Sequence, residues 1–137
     1  LSAVIGISQL KRLDKNIKIR NQNHKLFLNR LRGDIFFKNF SLKGASNYGL
    51  HLILKKKNSI LFRKILRVLD KSLIEYRLGS LGNQIRQPYL KKFKKTSYLR
   101  SLKNTEHMHF YSVYIGNHQG LDKKRIIRLC NNLDKIK

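Results

Sequence analysis

The chain has 137 residues, of which 31 are Lys or Arg and 7 are Asp or Glu, giving a formal net charge of +24. Hydrophobic residues make up 41% of it, enough to bury a core, which argues against intrinsic disorder. Its lone cysteine, Cys130, excludes an internal disulfide framework, and no apolar run is long enough to cross a bilayer. Because the first residue is Leu1 and helical periodicity is already present there, we expect a piece of a longer chain.

The first part of the chain is predicted to be a long helix followed by strands. Residues 2–31 place apolar side chains three and four positions apart, which predicts a helix that stops at Gly33. Residues 34–37 are predicted to be a short strand, and the Ser, Gly and Asn residues of 39–47 predict a loop. The period-two alternation over residues 48–55 predicts a strand.

Helices and short strands alternate in the rest of the chain. Apolar stripes at helical spacing predict helices near residues 59–70 and 122–134. Strands are predicted at 73–78 and 113–115, and the glycine-containing stretch 79–88 is predicted to be a loop. This alternation indicates an α/β or α+β protein, in which the strands form one small sheet with the two helices on one face.

The positive charge has two interpretations. Lys and Arg neutralise phosphates, and basic residues cluster at 55–57, 91–95 and 123–125, which would suit nucleic-acid binding. Lys, Asn and Ile together fill about a third of the sequence, however, and a genome rich in adenine and thymine would give that excess on any fold. Because the basic residues occur in every predicted element and not on one face, nucleic-acid binding is kept as the alternative.

The sequence offers few residues for catalysis or metal binding. His107 and His109 lie two positions apart, which on a helix places them on nearly opposite faces, so they cannot share one metal ion. The seven scattered acids leave little scope for paired-carboxylate chemistry, and no phosphate-binding glycine loop is present. Cys130 falls on the inner stripe of the last helix, where a buried, inert thiol is expected. We therefore predict neither a metal site nor a catalytic residue in this segment.

Two polar loops are the candidate ligand-binding segments. Residues 79–89 combine glycines with Asn and Gln amides and with Arg86, whose planar fork suits phosphate or carboxylate. Residues 116–120, which contain His118, form a strand-to-helix turn whose following helix N-terminus can attract anions. The same residue types also suit ordinary polar connections, in which Arg86 would only form a local salt bridge, for example with Glu75.

Motifs in four segments resemble those of a known family. Residues 2–14 resemble the apolar-basic helix of the DegT/DnrJ/StrS sugar aminotransferase family. Residues 74–77 and 82–89 are similar to that family's strand and to the Gly-Asn and Arg-Gln-Pro loop that follows it, and residues 114–121 are similar to its turn before the last helix. The motifs occur in the family's order and span most of the chain, which makes the set more specific than any one of them.

The resemblance implies the fold and chemistry of a pyridoxal-phosphate (PLP) enzyme of the aspartate-aminotransferase type (fold type I). Such an enzyme would transfer an amino group to a nucleotide-linked keto sugar, in the biosynthesis of surface polysaccharides or deoxyamino sugars. The amino donor would be glutamate, and the enzyme would be a cytoplasmic homodimer without a membrane partner. The PLP and its lysine would be held mainly by an upstream large domain, so the segment alone is expected to be inactive.

The resemblance also divides the chain. Residues 1–33 would be the long connecting helix, and residues 34–137 would be the C-terminal small α/β domain with its small, mostly antiparallel sheet. The apolar side chains of Val4, Ile5 and Ile7 would then lack their natural packing partner and would be partly exposed.

The resemblance places the Gly-Asn and Arg-Gln-Pro loop beside the sugar nucleotide. The substrate-binding residues that it implies are Asn83, Arg86, Gln87 and, as a weaker candidate, His118. Two departures from the family pattern point to a related reaction: Gln119 stands where proline is usual, and Ile85 lies near the place of a typical histidine. These departures favour, as an alternative, the pyridoxamine-phosphate-dependent sugar 3-dehydratases of the same fold.

Overall fold

The computed structural model describes residues 2–78, 82–93 and 101–136. The helices are α1 Ser2–Leu10, α2 Leu13–Arg30, α3 Ser59–Lys71, α4 Lys103–Tyr111 and α5 Lys123–Asp134. The strands are β1 Gly49–Ile53, β2 Tyr76–Arg77 and β3 Ser112–Gly116, and two short 3-10 segments, Gln84–Arg86 and Pro88–Phe93, follow β2. Residues 79–81 of the predicted polar loop and the end of the 91–95 basic cluster lie outside the described residues. Within the described ranges, no helix is both long and apolar enough to span a membrane.

The sheet has three antiparallel strands with β3 in the centre. β1 pairs with one edge of β3 and β2 with the other, so the strand order is β1-β3-β2. The register aligns both Leu50 of β1 and Tyr76 of β2 with Ile115 of β3. The predicted α/β class, with a small antiparallel sheet packed against helices, is confirmed.

The strand predicted at residues 34–37 is wrong. Residues 33–35 form a turn, and Phe36 makes a single isolated antiparallel bridge with Leu54. The N–H of Phe36 donates to the carbonyl of Arg32 at 2.9 Å, so the backbone is still turning away from α2 at this point. The segment therefore lies beside the end of β1 without extending the sheet.

The strand predicted at residues 73–78 is limited to two residues of its second half, β2. The N–H groups of Leu73 and Ile74 donate to the carbonyls of Asp70 and Leu69, each at 3.0 Å, and continue the last turn of α3. Leu73 adopts a left-handed φ of 52°, a conformation that ends helices. The helix end thus occupies the first residues of the predicted strand.

The single helix predicted over residues 2–31 is divided in two. α1 and α2 are separated by a turn at residues 11–12, where the N–H of Arg12 donates to the carbonyl of Gln9 at 3.0 Å. α2 ends when Leu31 takes an extended backbone, with a ψ of 141°, and inserts its side chain into the core. The division into a connecting helix and a small domain stays a prediction.

One core joins α2, the sheet, α3 and α5. The apolar side chains that are at most 1% exposed include Phe27, Leu50, Leu52, Ile65, Leu69, Val113, Ile126, Cys130 and Leu133. Each such side chain contributes about 1.5–3 kcal/mol by leaving water. The predicted inner stripe of the last helix is confirmed, and burial raises the pKa of the Cys130 thiol to about 11, which keeps it protonated and unreactive near neutral pH.

The apolar face of α1 does not join this core. Val4, Ile5, Ile7 and Leu10 are each more than half exposed. The expected exposure of the first three is confirmed.

The amide of Asn117 connects three parts of the fold. Its Nδ2 donates to the carbonyls of Arg20 and Asn47, at 2.9 and 2.7 Å, and its Oδ1 accepts from Nδ2 of Asn23 at 3.2 Å. Its backbone N–H donates to the carbonyl of Tyr48 at 2.7 Å. Asn117 is 2% exposed, so these bonds replace water completely. They tie the end of β3 to α2 and to the segment that leads into β1.

We predict that Asn117→Asp lowers the free energy of unfolding by about 1–3 kcal/mol, since a carboxylate oxygen would replace the donor that faces two carbonyls. Urea unfolding measures the change. The matched control is Asn131→Asp, at an exposed position of α5, which should stay close to wild type. Equal stabilities of the two variants would contradict a structural role for the Asn117 donor.

Candidate functional site

The predicted polar loop is attached to α4 through Asn83. The backbone N–H of Asn83 donates to Nδ1 of His109 at 3.2 Å, and its Nδ2 donates to Oε1 of Glu106 at 2.6 Å. Its Oδ1 accepts from the N–H of Ile85 at 3.1 Å and caps the first 3-10 segment. With 1% of its surface exposed, Asn83 has its polar groups directed inward. It therefore positions the loop.

Arg86 forms an ion pair with the carboxylate of Glu106, which also accepts from Asn83. Its Nε donates to Oε1 of Glu106 at 2.8 Å, and its Nη2 forms the second arm of a bidentate pair with Oε2. The guanidinium carbon also lies 4.6 Å from the centre of the Phe110 ring, within cation–π range. The local salt bridge considered for Arg86 thus exists, but with Glu106, because Glu75 pairs with Arg77.

Glu106 is the centre of this network. The hydrogen bonds from Arg86, and to a smaller extent the bond from Asn83, lower the pKa of its carboxyl from 4.5 to about 2. The Arg86 and Glu106 side chains are 35% and 21% exposed, so the pair lies at the surface without being fully solvated. The guanidinium edge of Arg86 that carries Nε and Nη2 faces Glu106. Its Nη1 does not donate to this carboxylate.

Within the described part of the chain, the other two predicted site residues form no side-chain hydrogen bond with this network. Gln87 is exposed and follows Arg86 directly, so its side chain lies near the loop surface. His118 is exposed, and its Nδ1 accepts from the N–H of Gly120 at 3.0 Å. It follows the C-terminal end of β3, whereas α4 leads into the strand's first residue, Ser112. The structure therefore groups Asn83 and Arg86 and places His118 at the opposite end of β3.

Sequence reasoning missed the α4 side of the site. The sequence pattern alone assigns no binding role to Glu106, His109 or Phe110. The available signal was the scarcity of acids: with seven in the whole chain, a lone carboxylate on a helix near an Arg-containing loop is a candidate partner. Nothing in the spacing of 20 residues between Arg86 and Glu106 indicated the contact.

The described part of the chain contains neither a group of side chains suited to bind a metal nor a lysine suited to bind the cofactor. No group of three or more potential metal-ligating side chains occurs there. Lysines that form Schiff bases are activated by desolvation. Among the lysines whose surroundings are described, Lys38 is half-buried and all others are exposed. These residues do not fit the cofactor-binding part of a PLP enzyme.

The sequence matches the model of the DegT/DnrJ/EryC1/StrS aminotransferase family over residues 1–134. The chain belongs to this family. The resemblance noted from the motifs is thereby confirmed.

Two curated relatives and one solved structure are similar to the chain. The chain is 28% identical over 136 residues to a GDP-4-keto-6-deoxy-D-mannose 3-dehydratase of Yersinia pseudotuberculosis, covering 98% of the chain and 35% of the relative. It is 27% identical over 120 residues to the enzyme of that name from Escherichia coli O55:H7, covering 87% of the chain and 31% of the relative. The E. coli GDP-4-keto-6-deoxy-D-mannose-3-dehydratase structure with bound hydrated PLP aligns with a TM-score of 0.77 at 24% identity, covering 94% of the chain and 33% of that structure. The chain thus spans about a third of the length of these relatives.

We predict an acid-sensitive stability that depends on Glu106. Since its folded pKa is about 2 and its ordinary value is 4.5, the unfolded chain takes up the proton first as the pH falls. The stabilisation is fully present above pH 4.5 and is lost between pH 4.5 and 2. Urea unfolding of wild type and Glu106→Gln over this range measures it: their difference should shrink as the pH falls.

The variant Arg86→Gln tests the cause. Without the guanidinium, the pKa of Glu106 returns toward its ordinary value and the acid-dependent loss becomes smaller. An Arg86→Gln variant with the full wild-type pH dependence would contradict the assignment.

Proposed function

We propose that the chain is the C-terminal part of a PLP-dependent enzyme that modifies a nucleotide-linked keto sugar. The observation that carries this proposal is the family match over nearly the whole chain, together with the similarity to two enzymes named for a GDP-linked keto sugar. We further propose glutamate as the nitrogen donor, and a homodimer as the active form.

PLP, or its amino form, would supply an electron sink for bonds next to the keto carbon. Because the described lysines do not suit a cofactor site, we place the cofactor on a part of the enzyme outside this segment. The contribution of this chain is then to bind and orient the sugar nucleotide. This division agrees with the absence of a predicted catalytic residue from the segment.

Arg86 is the residue that we propose to bind the substrate most directly. Glu106 and the Phe110 ring hold its guanidinium in one orientation, and the Nη1 edge, which Glu106 does not occupy, can donate to a phosphate or carboxylate oxygen. A side chain that is already ordered loses little entropy on binding. We propose that Gln87 supplies an exposed amide beside it, that Asn83 acts by holding the loop, and that His118 contacts the substrate from the other end of β3.

Two reactions fit this site, and we favour the 3-dehydration. The two relatives named above are both 3-dehydratases. In addition, Ile85 lies near the position where the family resemblance leads us to expect the histidine of many aminotransferases. Amino transfer, which the family's description names, is the second candidate.

The whole enzyme, supplied with PLP, glutamate and GDP-4-keto-6-deoxy-D-mannose, is expected to convert the sugar nucleotide. Mass spectrometry separates the two reactions, because a 3-dehydratase product has lost one oxygen without gaining nitrogen, whereas an aminotransferase product has exchanged its keto oxygen for an amino group. A protein that leaves every nucleotide-linked keto sugar tested unchanged, with cofactor present, would contradict the proposed function.

We predict that Arg86→Ala in the whole enzyme raises the Michaelis constant for the sugar nucleotide roughly ten- to a hundredfold, since a charged hydrogen bond contributes about 1.5–3 kcal/mol. The matched control is Arg77→Ala, which also removes an arginine from a surface ion pair but lies in β2. It should leave the Michaelis constant unchanged. A lowered thermal midpoint with unchanged kinetics for Arg86→Ala would assign Arg86 to structure alone.

A further inference from the structure

A second feature beside α4 is an open cavity. It has a volume of about 800 Å³ and is lined by residues of α4, of the end of β1 and of the segment that follows the turn after α2. This volume falls in the range of small-molecule sites. Glu106 belongs both to its wall and to the Arg86 network, so the cavity adjoins the proposed substrate loop.

The wall of the cavity contains an aromatic ring that is fixed in place and yet accessible. The backbone N–H of Phe37 donates to the carbonyl of Ile53 at 2.8 Å, which attaches it to the end of β1. Its ring packs edge-to-face on Phe40, with the ring centres 5.4 Å apart, and 42% of Phe37 remains exposed. An exposed ring that is held in this way can stack on a flat aromatic ligand at low entropic cost.

Positive charges surround the same space. Lys55, Lys57 and Lys103 line the cavity and are exposed, and the N–H of Lys55 donates to the carbonyl of Ile35 at 2.9 Å, which fixes its backbone. The acid in the wall, Glu106, is already paired with Arg86 and does not offset them. The cavity therefore suits a ligand that is both aromatic and anionic.

We propose that this cavity binds the nucleoside diphosphate part of the substrate, with the base stacked on Phe37 and the phosphates beside Lys57 and Lys103. The inference rests on the proposed function, because it assigns the nucleotide of the same sugar nucleotide to particular residues. The sugar-linked phosphate would then lie toward Arg86, which shares Glu106 with the cavity and whose Nη1 edge can donate to that phosphate, and the sugar would extend beyond it.

Two other grooves of the described surface differ from this cavity. One on α5 is lined by Lys124, Arg128 and Lys135 without an aromatic side chain. Another, of about 490 Å³, lies between the sheet and α5 and combines Tyr48 and Tyr114 with Arg77 and Arg125, but it also contains Glu75, which pairs with Arg77. These two grooves supply matched control positions.

The test is the binding of GDP, guanosine and inorganic pyrophosphate to the whole enzyme by titration calorimetry. Phe37→Leu keeps the apolar contact with Phe40 and removes the stacking ring. It should weaken GDP and guanosine roughly five- to 150-fold and leave pyrophosphate unchanged. The double variant Lys57→Gln/Lys103→Gln should weaken GDP and pyrophosphate roughly two- to thirtyfold, leave guanosine unchanged and reduce the salt dependence of GDP binding.

The controls are Tyr48→Leu for the aromatic ring and Lys124→Gln/Lys135→Gln for the charges. If the control variants weaken GDP as much as the cavity variants, or if neither set changes GDP affinity, the cavity assignment is overturned while the proposed function stands. A wild-type enzyme that neither binds GDP nor converts a nucleotide-linked sugar would overturn the proposed function itself.

Discussion

The fold depends on the hydrogen bonds of Asn117, which hold the C-terminal end of the central strand, β3. β3 carries both neighbours of the sheet, so fixing its C-terminal end fixes the sheet as a whole. That end is held by Asn117, whose buried amide reaches carbonyls of α2 and of the segment before β1. A buried amide without these partners would cost more than it contributes. The turn that follows β3 has the composition of a ligand loop, yet its residue Asn117 is buried and structural, whereas the next residue, His118, is exposed.

The parts of the fold that could be predicted are those whose signal is local. Apolar stripes located α3 and α5, and period-two alternation located β1. The errors occurred where a helix end decides the backbone. The bonds of Leu73 and Phe36 to preceding carbonyls keep both segments turning, although their side chains have the composition of strands. Residue types carry strand propensity, but only the three-dimensional arrangement shows which N–H groups are already used.

The candidate site was half predictable for the same reason. Asn83 and Arg86 stand in a loop whose glycines, amides and arginine indicate binding from composition alone. Glu106 lies 20 positions after Arg86, on another element, and no periodic pattern connects them. Its effect is to convert a flexible arginine into an oriented one. The family motif contains the loop residues, while the residue that holds them in place lies in a helix that the motif reasoning did not use.

The Arg86–Glu106 pair matters because acidic residues are scarce in this chain. The pairs Arg32–Asp34 and Arg77–Glu75 each join residues two apart on the surface, where solvent screens the charges and such contacts add little to stability. Arg86–Glu106 instead joins a loop to a helix and shares its carboxylate with a buried amide. With 31 basic and seven acidic residues, most basic groups have no acid to pair with, so positive potential is present over much of the surface and cannot by itself select a ligand. Selection of a ligand therefore requires a cavity in which shape and aromatic surface accompany the positive charge.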